Sequence, residues 1–135
     1  MRSSHSLDRL DVAFDDDRLV ADAGLLLPAT LAHHLLRELV DEHLDLGAKT
    51  GAANAGDKLL TLVLSALAGG DCIDDADVLR SASTASVLGH RVAAPSTLGT
   101  FLRSFTFGHI RQLDRWSEAV LAAAWTLGAD PALLP

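Results

Sequence analysis

Residues 57–68 constrain the fold of this chain more than any other stretch, because as a helix they are apolar on almost every side. At 3.6 residues per turn, one broad stripe is formed by Leu59, Leu60, Val63, Leu64 and Leu67. Leu62 and Ala66 extend the apolar surface onto the flanks of that stripe. A helix with so little polar surface is stable only inside a protein, and we expect the other elements to pack around it.

Both ends of this helix carry boundary signals. Asn54 or Asp57 is expected to cap its first amide groups, and the pair Gly69-Gly70 supplies a left-handed residue that ends it. The run is shorter than the roughly 20 apolar residues that cross a bilayer. It therefore predicts a core helix and not a membrane span, and we expect no membrane partner.

The composition favours helices over sheets. Of the 135 residues, 49% are hydrophobic but only 4% are aromatic, and tyrosine is absent. A core made mostly of Leu, Val and Ala is typical of helical proteins. We expect residues 1–135 to form a single, mainly α-helical domain.

The cysteine content and the first residues of the chain indicate the cellular compartment of the protein. Cys72 is the only cysteine, which excludes an intramolecular disulfide and fits a reducing environment. No basic residue or histidine adjoins it in the sequence, so we expect a small buried thiol. The chain begins with polar and charged residues and lacks an apolar secretory segment, so the prediction is a cytoplasmic protein.

Weaker patterns place the outer elements. Leu10, Val12 and Phe14 alternate before an Asp-rich turn, and the chain returns through residues 19–21, which predicts a small N-terminal β-hairpin lying on the helices. A first helix is expected to open at residues 25–28, with an apolar stripe formed by Leu31, Leu35, Leu36, Leu39 and Val40. A last helix is expected over about residues 108–127, with an inner side formed by Ile110, Leu113, Trp116, Val120, Ala123 and Leu127.

Charge is divided unevenly along the chain, whose formal net charge is −7. Residues 1–79 carry six Lys or Arg against fifteen Asp or Glu. Residues 80–115 carry five Arg against Asp114 alone, a local charge of +4. A basic segment within an acidic chain favours a localised phosphate contact over indiscriminate coating of nucleic acid.

Four aspartates in seven residues invite a metal-binding interpretation. They are Asp71, Asp74, Asp75 and Asp77. An EF-hand calcium loop also needs a glycine at its sixth position and a glutamate at its twelfth, and this run has neither. We expect Asp74 and Asp75 to cap the start of a short helix instead. An enzyme that uses the four aspartates as a metal site is the alternative.

The stretch after residue 94 has the form of a DNA-recognition helix. Ser96 is the expected N-cap, and the apolar face comprises Leu98, Phe101, Leu102 and Phe105. Thr97, Thr100, Arg103 and Ser104 are left polar. In a helix-turn-helix, the first turn of the second helix meets bases or phosphates, and Ser, Thr and Arg bond to both. This helix is therefore a candidate for the second helix of such a motif.

Three segments resemble the N-terminal region of DDE-type insertion-sequence transposases of the IS thirteen-eighty group. The first comprises Phe14-Asp15-Asp16, Leu19-Val20 and Ala23-Gly24-Leu25-Leu26. The second runs from Asp57-Lys58-Leu59-Leu60-Thr61-Leu62 through Ala68-Gly69-Gly70-Asp71-Cys72-Ile73-Asp74-Asp75. The third is Ala94-Pro95-Ser96-Thr97-Leu98-Gly99-Thr100-Phe101-Leu102-Arg103, where that family carries a similar helix. The resemblance covers nearly the whole chain.

The resemblance implies a helical region that helps to bind the terminal inverted repeats of the element. In that family an RNase H-like domain follows, where three carboxylates hold two divalent metal ions for phosphodiester chemistry. The present sequence ends before the strand that carries the first catalytic aspartate, so it is expected to be a truncated transposase without catalytic residues, metal or other cofactor of its own.

The sequence thus predicts a DNA-binding or assembly module of DNA transposition. The candidate DNA-binding residues are Arg91, Ser96, Thr97, Thr100, Arg103, Arg111 and Arg115. A different class of function is a helical interaction protein that associates with full-length transposase, or with itself, and inhibits transposition.

Overall fold

The structure, a computed structural model, describes Asp16 and residues 18–126. Within these residues the chain forms six α-helices and no strand, in agreement with the predicted mainly α class. The helices are α1 (Leu26–Leu35), α2 (Arg37–His43), α3 (Ala55–Leu67), α4 (Thr84–Val87), α5 (Pro95–Arg103) and α6 (Phe107–Thr126). Two 3₁₀ helices span Ala23–Leu25 and Ile73–Arg80. The predicted β-hairpin lies mostly outside the described residues.

Helix α3 is the element around which the others pack, as its apolar sequence predicted. It contacts α1, α2, α5 and the 3₁₀ helix Ile73–Arg80. Two clusters of buried residues lie against it. One comprises Leu25, Ala29, Leu64, Leu79 and Leu88, and the other comprises Val40, Leu44, Leu46, Ala55 and Phe101. Because α3 contributes to both clusters, it joins the two parts of the core.

The predicted stripe on α3 is only partly correct. Leu60 and Leu64 are 1% exposed, but Leu67 is 59% exposed. The buried face instead includes three polar residues, Lys58, Thr61 and Ser65. Polar groups tolerate burial where they find hydrogen-bond partners, and the loops around α3 supply acceptors and donors for Lys58 and Thr61.

The two predicted ends of α3 had different outcomes. Gly69 has φ +94° directly after the helix, which confirms that the glycine pair supplies a left-handed residue. At the other end, Asn54 is itself left-handed and no side chain caps the helix. The carboxylate of Asp57 pairs with Arg37 at 3.2 Å, so the prediction of a side-chain cap was wrong.

The single first helix of the prediction is divided at Leu36 into α1 and α2. The carbonyl of Leu36 accepts a hydrogen bond of 3.3 Å from the Trp116 indole of α6. On α1 the buried residues are Ala29 and Ala32, whereas Leu31, expected in the core, is 56% exposed. Small side chains are buried on α1 in place of one of the predicted leucines.

Helix α6 packs on α1 and α2 through one side only. Leu113 and Trp116 contact the second core cluster, as predicted, but no residue of α6 is fully buried. Ile110, also expected on the inner side, is 47% exposed. Within the described part of the chain, no helix is both long and apolar enough to cross a membrane.

The aspartate-rich stretch forms a 3₁₀ helix rather than an α-helix. Asp75 accepts backbone hydrogen bonds from Asp71 at 2.9 Å and from Cys72 at 3.0 Å. These bonds lower the pKa of the Asp75 carboxyl, and they confirm its predicted capping role. Cys72 is exposed, so the expectation of a buried thiol was wrong.

Candidate nucleic-acid interface

The segment that leads into α5 is fixed to the core by one threonine of α3. The hydroxyl of Thr61, which is fully buried, donates to the carbonyl of Asp57 at 2.7 Å and accepts from the amide of Ala93 at 3.1 Å. The His90 ring lies 3.4 Å from the same oxygen. These contacts hold residues 90–93 against α3, while the side chain of Arg91 remains exposed.

Helix α5 begins two residues earlier than predicted. Pro95 occupies the first helical position, and Ala94 is the N-cap residue in place of Ser96. Proline suits this position because its missing N–H would have no helical acceptor. No side chain caps this end, and the amides of Ser96 and Thr97 precede the first intrahelical bond, from Leu98 to Ala94. The N-terminus of α5 therefore presents free donors and the positive end of a helix dipole.

A cleft of about 420 Å³ lies between the N-termini of α3 and α5, and we call it the basic cleft. Its charged and polar lining consists of Asn54, Asp57, Lys58, Arg80, Arg91 and Thr97. Arg91 and Thr97 were predicted as DNA-binding residues, and the fold places them in one cleft. Lys58 and Arg80 were missed, although Arg80 opens the basic segment that the charge count identified.

The cations of the basic cleft differ in their availability. The buried amino group of Lys58 donates to the carbonyl of Gly51 at 2.8 Å and to the carbonyl of Ala53. Burial lowers the pKa of Lys58. The single carboxylate, Asp57, is already paired with Arg37. The lining therefore has excess positive charge, and Arg91 is the cation of the cleft that has no hydrogen bond or ion pair among the described residues.

A second groove of about 610 Å³ adjoins the basic cleft along α5 and shares Arg80 and Ala94 with it. It contains Ser96, Thr100 and Arg103, three more of the predicted residues. It also contains Asp74 and Asp77, and Asp77 pairs with Arg80 at 2.8 Å. Positive and negative charges are balanced here, so this groove attracts phosphate less strongly than the basic cleft.

Ion pairing divides the described arginines and lysines into two groups. Arg18, Arg37 and Arg80 pair with carboxylates, while Lys49 and Lys58 donate to backbone carbonyls. In the part of the chain that the structure describes, the remaining four guanidinium groups have no hydrogen bond or ion pair: Arg91, Arg103, Arg111 and Arg115. These four are the arginines of the predicted DNA-binding set.

The structure does not bring all seven predicted residues together. Arg111 and Arg115 lie on α6 and line a separate shallow groove with Asp114, Ser117 and Glu118. Neither of the two grooves beside α5 contains a residue of α6. The predicted set is therefore split into five residues at α5 and two at α6.

The connection between α4 and α5 is longer than the turn of a helix-turn-helix. Helix α4 is a single turn, and residues 88–94 separate it from α5. The connection in that motif is about three to four residues. Ser96 and Thr97 are exposed in the first turn of α5, but α4 and α5 do not form the predicted motif.

The four aspartates of the metal-binding alternative do not form one cluster. Asp71, Cys72 and Asp75 place ligand atoms within 4.8 Å of one another, whereas Asp74 and Asp77 line the groove beside α5. Asp75 is engaged with two backbone amides. This geometry favours a capping role.

Comparison with protein-family models, with curated proteins and with solved structures found no match to this chain. Its function is therefore inferred from the residues and their geometry.

Proposed function

We propose that this chain is a DNA-binding module of transposition, similar in role to the N-terminal region of a DDE-type insertion-sequence transposase. In this proposal the first turn of α5 and the basic cleft contact the backbone of a terminal inverted repeat. The phosphodiester chemistry and its divalent metal ions belong to a separate catalytic domain. The chain itself is then a non-enzymatic component that acts on DNA in the cytoplasm.

The observation that carries this proposal is that two arginines without an ion pair lie beside the uncapped N-terminus of α5. Arg91 and Arg103 line the two grooves that flank the start of α5 and have no partner among the described residues. Helix N-termini with free amides bind phosphate, and arginine adds charge-assisted hydrogen bonds. Free donors of both kinds on one surface favour a phosphate ligand.

The polar residues of α5 differ in what they offer to DNA. The hydroxyl of Thr100 already donates to the carbonyl of Ser96 at 3.1 Å, so it is available mainly as an acceptor. Ser96 and Thr97 are exposed in the first turn, and no side-chain hydrogen bond engages their hydroxyls within the described residues. We expect Thr97 and Arg91 to contact phosphate, and Ser96 to contact phosphate or a base edge.

Fluorescence anisotropy tests this proposal with a duplex that carries the terminal repeat, a scrambled duplex, and several salt concentrations. We expect the wild-type chain to prefer the repeat. The double variant Arg91→Ala/Arg103→Ala should bind more weakly, and its plot of log affinity against log salt should be shallower by about 0.9 for each phosphate that the variant no longer neutralises.

The matched control is Arg111→Ala/Arg115→Ala, which removes the same charge from a different surface. We expect this control to keep the salt slope of the wild type. Equal losses in both double variants would show that only net charge matters, and unchanged binding in Arg91→Ala/Arg103→Ala would refute the assignment to α5.

A second candidate function is an interaction protein that associates with full-length transposase. The observation in its favour is α6, which has no fully buried residue and several exposed apolar side chains. Co-sedimentation of the chain with intact transposase tests this function. A complex that forms without DNA and survives Arg91→Ala/Arg103→Ala would favour it over direct DNA binding.

A further inference from the structure

The outer face of α6 carries large apolar side chains at both of its ends. Phe107 is 78% exposed and Ile110 is 47% exposed near the start, while Leu121 and Trp125 are 51% and 52% exposed near the end. These residues recur at helical spacings, so they lie along one side of α6. The opposite side holds Leu113 and Trp116, which contact the core.

Between these apolar ends the same face carries four charged residues of alternating sign. In chain order they are Arg111, Asp114, Arg115 and Glu118, and all four are exposed. Although neighbours at three or four positions could pair within one helix, none of the four forms an ion pair within the described residues. The charges are therefore available to a partner.

We propose that this face binds the same face of a second copy of this chain, with the two α6 helices antiparallel. The order of charges carries the proposal. In antiparallel register about a two-fold axis between residues 114 and 115, Arg111 faces Glu118 of the second copy, and Asp114 faces Arg115. Symmetry repeats both pairs, so four opposite-charge contacts form from one register.

The same register also matches the apolar ends. Phe107 of one copy lies within about one turn of Leu121 and Trp125 of the other, and Ile110 lies within about one turn of Leu121, since each end of the helix meets the opposite end. A parallel arrangement in register would instead place like charges together. The face is thus self-complementary in the antiparallel orientation.

The size of this surface sets the expected strength of the dimer. The stripe from Phe107 to Trp125 is about 27 Å long at 1.5 Å per residue. A single helix pair buries less than the ~800 Å² per partner of a standard interface. We expect a weak dimer that dissociates on dilution and weakens at high salt.

Charge exchange between two variants tests the proposal by sedimentation velocity over a wide range of protein concentration. Arg111→Glu/Arg115→Glu makes the stripe wholly acidic, and Asp114→Lys/Glu118→Lys makes it wholly basic. We expect each variant alone to sediment as a monomer where the wild type is a dimer, and an equimolar mixture of the two to restore the dimer. Circular dichroism checks that both variants remain folded.

The control is Arg91→Glu/Arg103→Glu, which makes the same change of charge at α5 and should keep the wild-type dimer. A folded wild-type chain that is monomeric at every concentration would overturn the proposal. So would a mixture of the two stripe variants that stays monomeric, or variants that dimerise as the wild type does. Dimer formation needs no DNA, so failure here leaves the proposed DNA contact standing, and the reverse is also true.

Discussion

Thr61 shows how one residue links the core to the candidate interface. It lies in the middle of an apolar run, yet it is fully buried because its hydroxyl bonds both Asp57 of its own helix and Ala93 of the segment before α5. The His90 ring completes the group, with its other nitrogen 3.3 Å from the carbonyl of Leu88. Polar residues inside α3 therefore position the chain that carries Arg91.

The burial of His90 predicts a loss of stability in mild acid. Burial lowers the pKa of His90 below its ordinary value. The Leu88 carbonyl and Asp57 act in the opposite direction but do not cancel this effect. The unfolded chain, with a histidine pKa of about 6.5, therefore takes up a proton before the folded chain does as the pH falls. The stability that neutral, buried His90 contributes is constant above a pH of about 6.5. It is lost as the pH falls from the pKa of the unfolded chain to the lower pKa of the folded chain.

Urea denaturation at several pH values measures this effect. We expect the free energy of unfolding to fall as the pH drops below about 6.5, and to fall less steeply in His90→Asn. The control is His34→Asn, at an exposed position. An acid dependence that is the same in His90→Asn and in the wild type would contradict the prediction.

Among the elements, α5 is held by close packing as well as by its apolar face. Phe101 is fully buried, and the backbone at Phe101 lies directly against Gly51 of the loop before α3. A β-carbon on Gly51 would lie 2.9 Å from the Cα of Phe101 and would also meet the hydroxyl of Ser104. The small residue at position 51 therefore allows α5 to approach this loop.

Substitution of Gly51 tests the importance of this approach. We expect Gly51→Ala to destabilise the protein by about 1–3 kcal/mol, because the added β-carbon would displace backbone atoms of α5 and disturb its packing. Gly24→Ala is the matched control, since nothing lies within 4 Å of the position that its β-carbon would take, and its effect should be near zero. Chemical denaturation compares the two variants, and equal stabilities would contradict this explanation of the close approach.

The whole molecule combines a net charge of −7 with a local surface of free arginines. For the proposed DNA contact, the net charge of the chain and the local arginines are therefore expected to act in opposite directions. The salt concentration sets the distance over which the net negative charge repels DNA, because the Debye length is about 30 Å at 0.01 M and about 8 Å at physiological ionic strength.

This opposition predicts an unusual salt dependence for the proposed DNA contact. At low salt the acidic remainder of the chain repels the duplex, so affinity should rise little as salt is reduced further. At higher salt the repulsion is screened, and the ordinary decrease from counterion release should appear. Anisotropy titrations over a wide salt range measure this curve, and a single steep line at all concentrations would contradict the prediction.

Part of the candidate site could be predicted from the sequence and part could not. The basic segment and the polar first turn of α5 identified Arg91 and Thr97, which the fold places in one cleft. The separation of Arg111 from this cleft was not predictable, because it depends on where α6 packs. Lys58 was missed since its place in an apolar helix gave no sign of an exposed groove beside it.

Hydrophobic periodicity and backbone freedom are local properties of a chain, and they were enough to predict the helical class, the central place of α3 and its end at Gly69. The packing of the helices was needed to establish that Thr61 is buried while Leu67 is exposed, and which arginines remain unpaired. Burial and ion pairing depend on groups that are distant in sequence, and these groups meet only when the helices pack.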